Sequence, residues 1–179
     1  MSLKLKETIN LIKNNTYDKQ TLKLVKFIKN YNQYVIPPEE MKVLYPSLLE
    51  ALKTNTTITS LNVSDCDYNC ICKYGKYNII QDNINLLAEV LKTNKYITSL
   101  NLRLNCLNNI NSILEVLKTN NTLISLNISY NGIVFEDDNL LIYVLKTNKT
   151  LTSLNLTSIK FKNIDSFLEA LKTNTTLLH

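Results

Sequence analysis

The chain has 179 residues, 45% of them apolar, which is enough for one compact domain or one short repeat array. No run of about 18 apolar residues occurs, which excludes an apolar helix of membrane-spanning length. The net charge of +5 comes from lysines spread along the chain, with Arg103 the sole arginine. That is a solubilised surface and not the clustered positive footprint of a nucleic-acid binder.

The N-terminal stretch MSLKLKETINLIKNN is interrupted by Glu7 and Asn10 and lacks the form of a signal peptide. The expectation is a cytoplasmic protein, in the host's cytoplasm if it is a viral or parasite effector. The excess of asparagine and lysine is the bias of an AT-rich genome. Residues 1–47 admit two readings. Leu5, Ile9 and Ile12, then Leu22, Val25, Ile28 and Tyr31, lie at helical spacing and suggest a helical cap. Leu22, Val25, Phe27 and Asn30 also fit a degenerate first repeat. Pro38 suits the first turn of a helix, and Pro46 should start or kink the next one.

From Leu48 to His179 a repeat is plain. The tetrapeptide LKTN begins at residues 52, 91, 117, 145 and 171, in steps of 39, 26, 28 and 26. Such steps mean stacked supersecondary units, the long one carrying an insertion within residues 67–82. Before each LKTN the apolar spacing is helical, as in Leu48, Leu49 and Leu52, or Ile113, Leu114 and Leu117. After it the pattern alternates, as in Leu61 and Val63, Leu100 and Leu102, Leu126 and Ile128, Leu154 and Leu156. A helix leads into a short strand, repeatedly and in one direction, so the units should build a parallel sheet backed by helices. LKTN reads as the helix stop. Its asparagine (Asn55, Asn94, Asn120, Asn148, Asn174) is expected in the left-handed conformation, and its lysine suits the helix dipole.

The segments Leu123-x-x-Leu126-x-Ile128-x-x-Asn131-x-Ile133 and Ile97, Leu100, Leu102, Asn105, Leu107 resemble the leucine-rich repeat. The long helical half and the step length are similar to the ribonuclease-inhibitor-like subclass. The resemblance covers nearly three quarters of the chain. It implies an α/β fold, a right-handed solenoid with a short parallel sheet on the concave face and helices on the convex face. It also implies that Cys66, Asn105 and Asn131 turn inward after their strands and bond the loop backbone. Ile159 departs from that pattern, so the last complete unit should have a different turn. The chain ends where another strand would begin, which leaves an edge for a weak homodimer if the protein is not a monomer.

Cys66, Cys70, Cys72 and Cys106 have metal-like density, but their spacing matches no zinc motif, and reduced thiols are expected in a cytosolic protein. No cofactor is expected. His179 is the sole histidine and is terminal, which removes the ordinary Ser-His and Cys-His arrangements. Glu136, Asp137 and Asp138 read as helix capping. No catalysis is expected. Some proteins of the subclass activate small GTPases, and this remains a remote alternative.

Residues between the inward leucines form columns on the other sheet face. Ser60, Ser99, Ser125 and Ser153 are uniform, as are Asn62, Asn101, Asn127 and Asn155, whose side chains should bond to one another as a ladder. The next columns vary: Ser64, Arg103, Ser129 and Thr157, then Asp65, Leu104, Tyr130 and Ser158. Variation suits a specific partner, and Arg and Tyr are favoured in hot spots. The expected protein-binding residues are Asp65, Arg103, Leu104, Ser129, Tyr130 and Thr157, with Tyr68 at the rim beside Tyr74 and Tyr77 of the insertion. A membrane or a nucleic acid is not an expected partner.

Overall fold

A computed structural model describes residues 2–23, 38–64 and 79–177. The fold is α/β, with a five-stranded parallel sheet and seven helices among the described residues. The helices are α1 (Ser2–Lys13), α2 (Pro38–Thr54), α3 (Ile79–Asp82), α4 (Ile84–Thr93), α5 (Asn111–Leu117), α6 (Asn139–Thr147) and α7 (Asp165–Thr173). The strands are β1 (Thr21–Lys23), β2 (Ser60–Asn62), β3 (Ser99–Asn101), β4 (Ser125–Asn127), β5 (Val134–Phe135), β6 (Ser153–Asn155) and β7 (Lys160–Phe161). The main sheet runs β1-β2-β3-β4-β6, and β5 pairs with β7 separately.

The register matches the sequence columns. Leu22, Leu61, Leu100, Leu126 and Leu154 are mutual partners across the sheet, flanked by the serine and asparagine columns of β2, β3, β4 and β6. The leucines of the first four strands are buried against Leu52, Leu91 and Leu117 from the helices, and this is the core. Successive long helices pack side by side. Leu168 on α7 is exposed, with no further helix beside α7 among the described residues.

The N-terminal region repeats the helix-then-strand order. Leu22 lies in β1, paired with β2, and not on a second helix. Val25, Phe27, Ile28, Asn30 and Tyr31 lie outside the described residues. α2 begins at Pro38 as expected, but Pro46 sits inside it and starts no helix of its own.

The LKTN asparagines correct the expectation most sharply. Asn94, Asn148 and Asn174 are extended, with φ of −72°, −71° and −75°, and not left-handed. Their side chains end the helix instead. Asn94 Oδ1 accepts the N–H groups of Tyr96 and Ile97, at 2.7 and 2.9 Å. Its Nδ2 donates to the carbonyls of Leu52 and Asn55 in the preceding unit, both at 2.7 Å. Asn120 and Asn148 repeat this pattern, reaching Leu91 and Leu117 respectively. Asn55 reaches Ile12, and Asn174 reaches Leu145. A buried amide thus satisfies backbone groups of two units at once, which is why the tetrapeptide recurs unchanged.

The last turn differs, as the absence of asparagine at position 159 implied. The Ile159 N–H donates to the Leu156 carbonyl at 3.0 Å, and the β5–β7 pair takes over. Phe135 stacks on Phe161 with centroids 5.3 Å apart, and Phe161 meets Phe167 at 4.7 Å. Aromatic packing replaces the amide bridge there.

Candidate functional site

Each strand of the main sheet from β2 onward is followed by a turn built by its own asparagine. Asn62, Asn101, Asn127 and Asn155 each accept, through Oδ1, the N–H two residues on, at 2.9 to 3.0 Å. They do not bond to one another, which corrects the expected ladder along the sheet. An Asx turn holds the amide oxygen against its own backbone and so directs it away from the neighbouring asparagine.

Arg103 therefore lies in a turn just beyond β3, not on the strand. The residue after it, Leu104, has φ 60°, and its counterparts Tyr130 and Ser158 have φ 55° and 62°. Apart from Asn15 after α1, with φ 54°, positive φ among the described non-glycine residues thus falls after the strands and not at LKTN, on residues without glycine's freedom. The Leu104 N–H donates to the Ser129 carbonyl at 3.1 Å, and the Tyr130 N–H to Thr157 at 2.8 Å. These bonds hold consecutive turns in line.

Inside the turns, Asn105 and Asn131 are buried. Asn105 Nδ2 donates to Val63 and Leu102 at 3.0 and 2.9 Å, and Asn131 Nδ2 to Leu102 and Ile128 at 2.9 and 2.7 Å. Asn131 Oδ1 accepts the N–H groups of Asn105 and Leu107. Cys66, the third expected turn residue, lies outside the described residues.

On the outer face the structure brings Arg103 and Tyr130 together. The guanidinium carbon lies 4.8 Å from the ring centroid, within cation–π range. Arg103 and Thr157 are exposed, Tyr130 is 45% exposed and Leu104 is half-buried. Ser129 is a correction. It is fully buried, and its hydroxyl donates to Asn127 Oδ1 at 2.7 Å, so it shapes the turn and meets no partner. Asp65, Tyr68, Tyr74 and Tyr77 lie outside the described residues. Sequence reasoning missed Gln81, at the end of the insertion. Gln81 Oε1 accepts the N–H groups of Asn108 and Asn109, and its Nε2 donates to the Asn109 carbonyl. This ties the insertion to the loop after β3.

The thiol expectation is overturned at Cys106, which is disulfide-bonded. A sulfur so engaged is no thiolate for a metal. Cys70 and Cys72 lie, with Cys66, outside the described residues. The acidic run is reassigned in detail. Asp137 accepts the Asn139 N–H at 2.9 Å, Asp138 at the start of α6 makes no side-chain cap, and Glu136 pairs with Lys162 at 3.2 Å.

With that geometry in hand, the chain compares with one solved structure in particular. Its fold is similar to that of leiomodin-1 actin-binding site 2 (ABS2). The TM-score is 0.58 at 22% identity, and the match covers 94% of this chain and 87% of that one. At such identity the likeness is one of fold. No protein-family model matches the chain, and no curated protein sequence matches it. Among the described residues, no helix is long and apolar enough to cross a membrane.

Proposed function

We propose that the chain is a non-catalytic protein-interaction module, a right-handed leucine-rich-repeat solenoid of the ribonuclease-inhibitor-like kind. It takes a protein partner on its concave sheet face and on the insertion loop. The observation that carries this is the Arg103–Tyr130 pair, held together on the outer sheet face by turns whose own hydrogen bonds are already satisfied. A preorganised Arg and Tyr, with Leu104 and Thr157 beside them, is hot-spot chemistry. Asp65 and Tyr68 extend this surface in our reading. The likeness to a region named for actin binding supports a binding role without naming the partner. We place the protein in the cytoplasm as an adaptor or effector; the Cys106 disulfide is the one observation that counts against a reducing compartment.

The test is capture from a native lysate followed by mass spectrometry, with wild type beside an R103A/Y130A variant. The variant should lose specific partners while melting as the wild type does. An unchanged set of captured proteins would overturn the site.

A second reading, self-assembly, rests on the edge at β6. Leu154, Leu156, Ile159, Phe161, Leu171 and Leu177 are only partly buried there. The Asn174 carbonyl, whose counterpart Asn55 accepts the next unit's amide, has no such donor among the described residues. Light scattering decides it, since a monomer at high concentration excludes pairing through this edge.

A further inference from the structure

We propose that the partner segment seated on this face is acidic, its carboxylates received by Arg103 and by the amides of the asparagine column. This rests on the interaction reading above and names the chemistry of its partner.

Lys53, Lys92, Lys118 and Lys172 pair with Glu50, Glu89, Glu115 and Glu169 on their own helices, and Lys162 pairs with Glu136. Arg103 has no carboxylate partner among the described residues. Its guanidinium carbon lies 4.8 Å from the Tyr130 ring centroid, and its side-chain N–H groups have no hydrogen-bond partner among the described residues. The N–H edge, which matches a carboxylate fork-to-fork, is left over.

The asparagine column adds donors of one kind. In Asn62, Asn101, Asn127 and Asn155 the amide oxygen must face the backbone, because a backbone N–H donates to it. The Nδ2 groups are thereby directed away from that bond, and they have no hydrogen-bond partner among the described residues. The four are register neighbours, spaced by one strand separation of about 4.8 Å. The face thus presents two cations, Arg103 and the exposed Lys23 that is register partner of Asn62, and a row of N–H donors, and among the described residues of its columns no carboxylate. Asp65, the acid that the sequence adds to these columns, lies outside the described residues.

A carboxylate-bearing peptide suits this better than a nucleic acid. Tracking phosphates needs many unpaired cations along one groove. Here the described sheet side carries two cations without an ion pair, Arg103 and Lys23, with β2 between their strands, and four of the five lysines named above are paired on the helices. A single arginine fork with flanking neutral donors fits one or two side-chain carboxylates in an extended segment.

The experiment uses fluorescence anisotropy on the full chain with a labelled Glu-rich peptide, its Gln-for-Glu and Lys-for-Glu counterparts, and a single-stranded DNA oligonucleotide. The Glu peptide should bind, more weakly as salt rises, and the other three should not. Arg103→Ala should weaken it by about tenfold or more. Arg103→Lys should fall between, having charge without the fork. Asn127→Asp keeps the oxygen that holds the turn and replaces the donor with a negative charge, so it should weaken the peptide without lowering the melting temperature. DNA binding as tight as the Glu peptide, or equal peptide affinity in Arg103→Ala, overturns the proposal. Arg103-dependent capture of a lysate partner with no affinity for the Glu peptide also overturns it, while leaving the interaction reading intact.

Discussion

Arg103 and Tyr130 come from turns after adjacent strands, and the guanidinium of the first lies 4.8 Å from the ring centroid of the second. Both are exposed, so the pair should contribute little to folding: about 0.5–1 kcal/mol for a cation–π contact at such a site. Arg103→Ala, Tyr130→Ala and the double variant, unfolded in urea, should give a coupling energy of that size. A coupling indistinguishable from zero would mean that the two side chains are not preorganised for a partner.

Asn94 and Asn101 are the same residue type in two roles, and substitution should separate them. Asn94 is buried and makes two bonds to the preceding unit and two to its own loop. Asn94→Ala strands buried carbonyl and N–H groups, and should cost about 3 kcal/mol or more. Asn101→Ala loses one bond to the Arg103 N–H and should cost about 1 kcal/mol or less. Urea midpoints measure both; equal costs would remove the inter-unit role assigned to LKTN.

The architecture was legible because its signal is periodic. The spacing of LKTN and the alternation after it set the helices, the strands and the sheet register, and the serine and asparagine columns align as read. The missing asparagine at 159 correctly announced a different last turn. What was not legible depends on where an amide points. Asn94 and Asn101 each close a short recurring motif, LKTN and SLN, and each precede a turn. Only the folded chain shows one reaching back to the preceding unit while the other closes on itself. Ser129 was misread for the same reason: an alternating pattern places it outward, but its hydroxyl turns into the Asn127 turn and is covered. The Cys106 disulfide could not be derived, because pairing depends on geometry that spacing does not carry.

Ser158 is exposed and has φ 62°, a conformation that a side chain disfavours. Its side chain has no hydrogen-bond partner among the described residues. Ser158→Gly should therefore stabilise by up to about 1 kcal/mol, relief of the left-handed strain outweighing the extra freedom of the unfolded chain. The readout is the thermal midpoint, and a destabilised variant would contradict the backbone geometry.

Cys106 follows the turn residue Asn105 and is disulfide-bonded with φ 50°. Alkylation of the unreduced, denatured chain should leave at least two of its four cysteines unmodified, as intact mass will show. Reductant should lower stability by about 2–4 kcal/mol. Cys106→Ser should start at the reduced level and show no further response to reductant. Four alkylated thiols without reductant would restore the reduced reading and with it a cytosolic home.

Tyr17 is half-buried beside the first repeat junction, its carbonyl facing the Thr57 hydroxyl. Burial first, and the Asp18 carboxylate second, push its phenol above the usual 10.0. The folded chain thus holds this proton more tightly than the unfolded chain does. Its contribution to stability is complete below the unfolded value and is lost as pH rises through the higher folded one. Tyr17→Phe keeps the ring and removes the titration. The stability difference between wild type and Tyr17→Phe should be flat up to roughly pH 9.5 and should then move against the wild type. A difference that stays flat to higher pH would show that Tyr17 is as well hydrated in the folded chain as in the unfolded one.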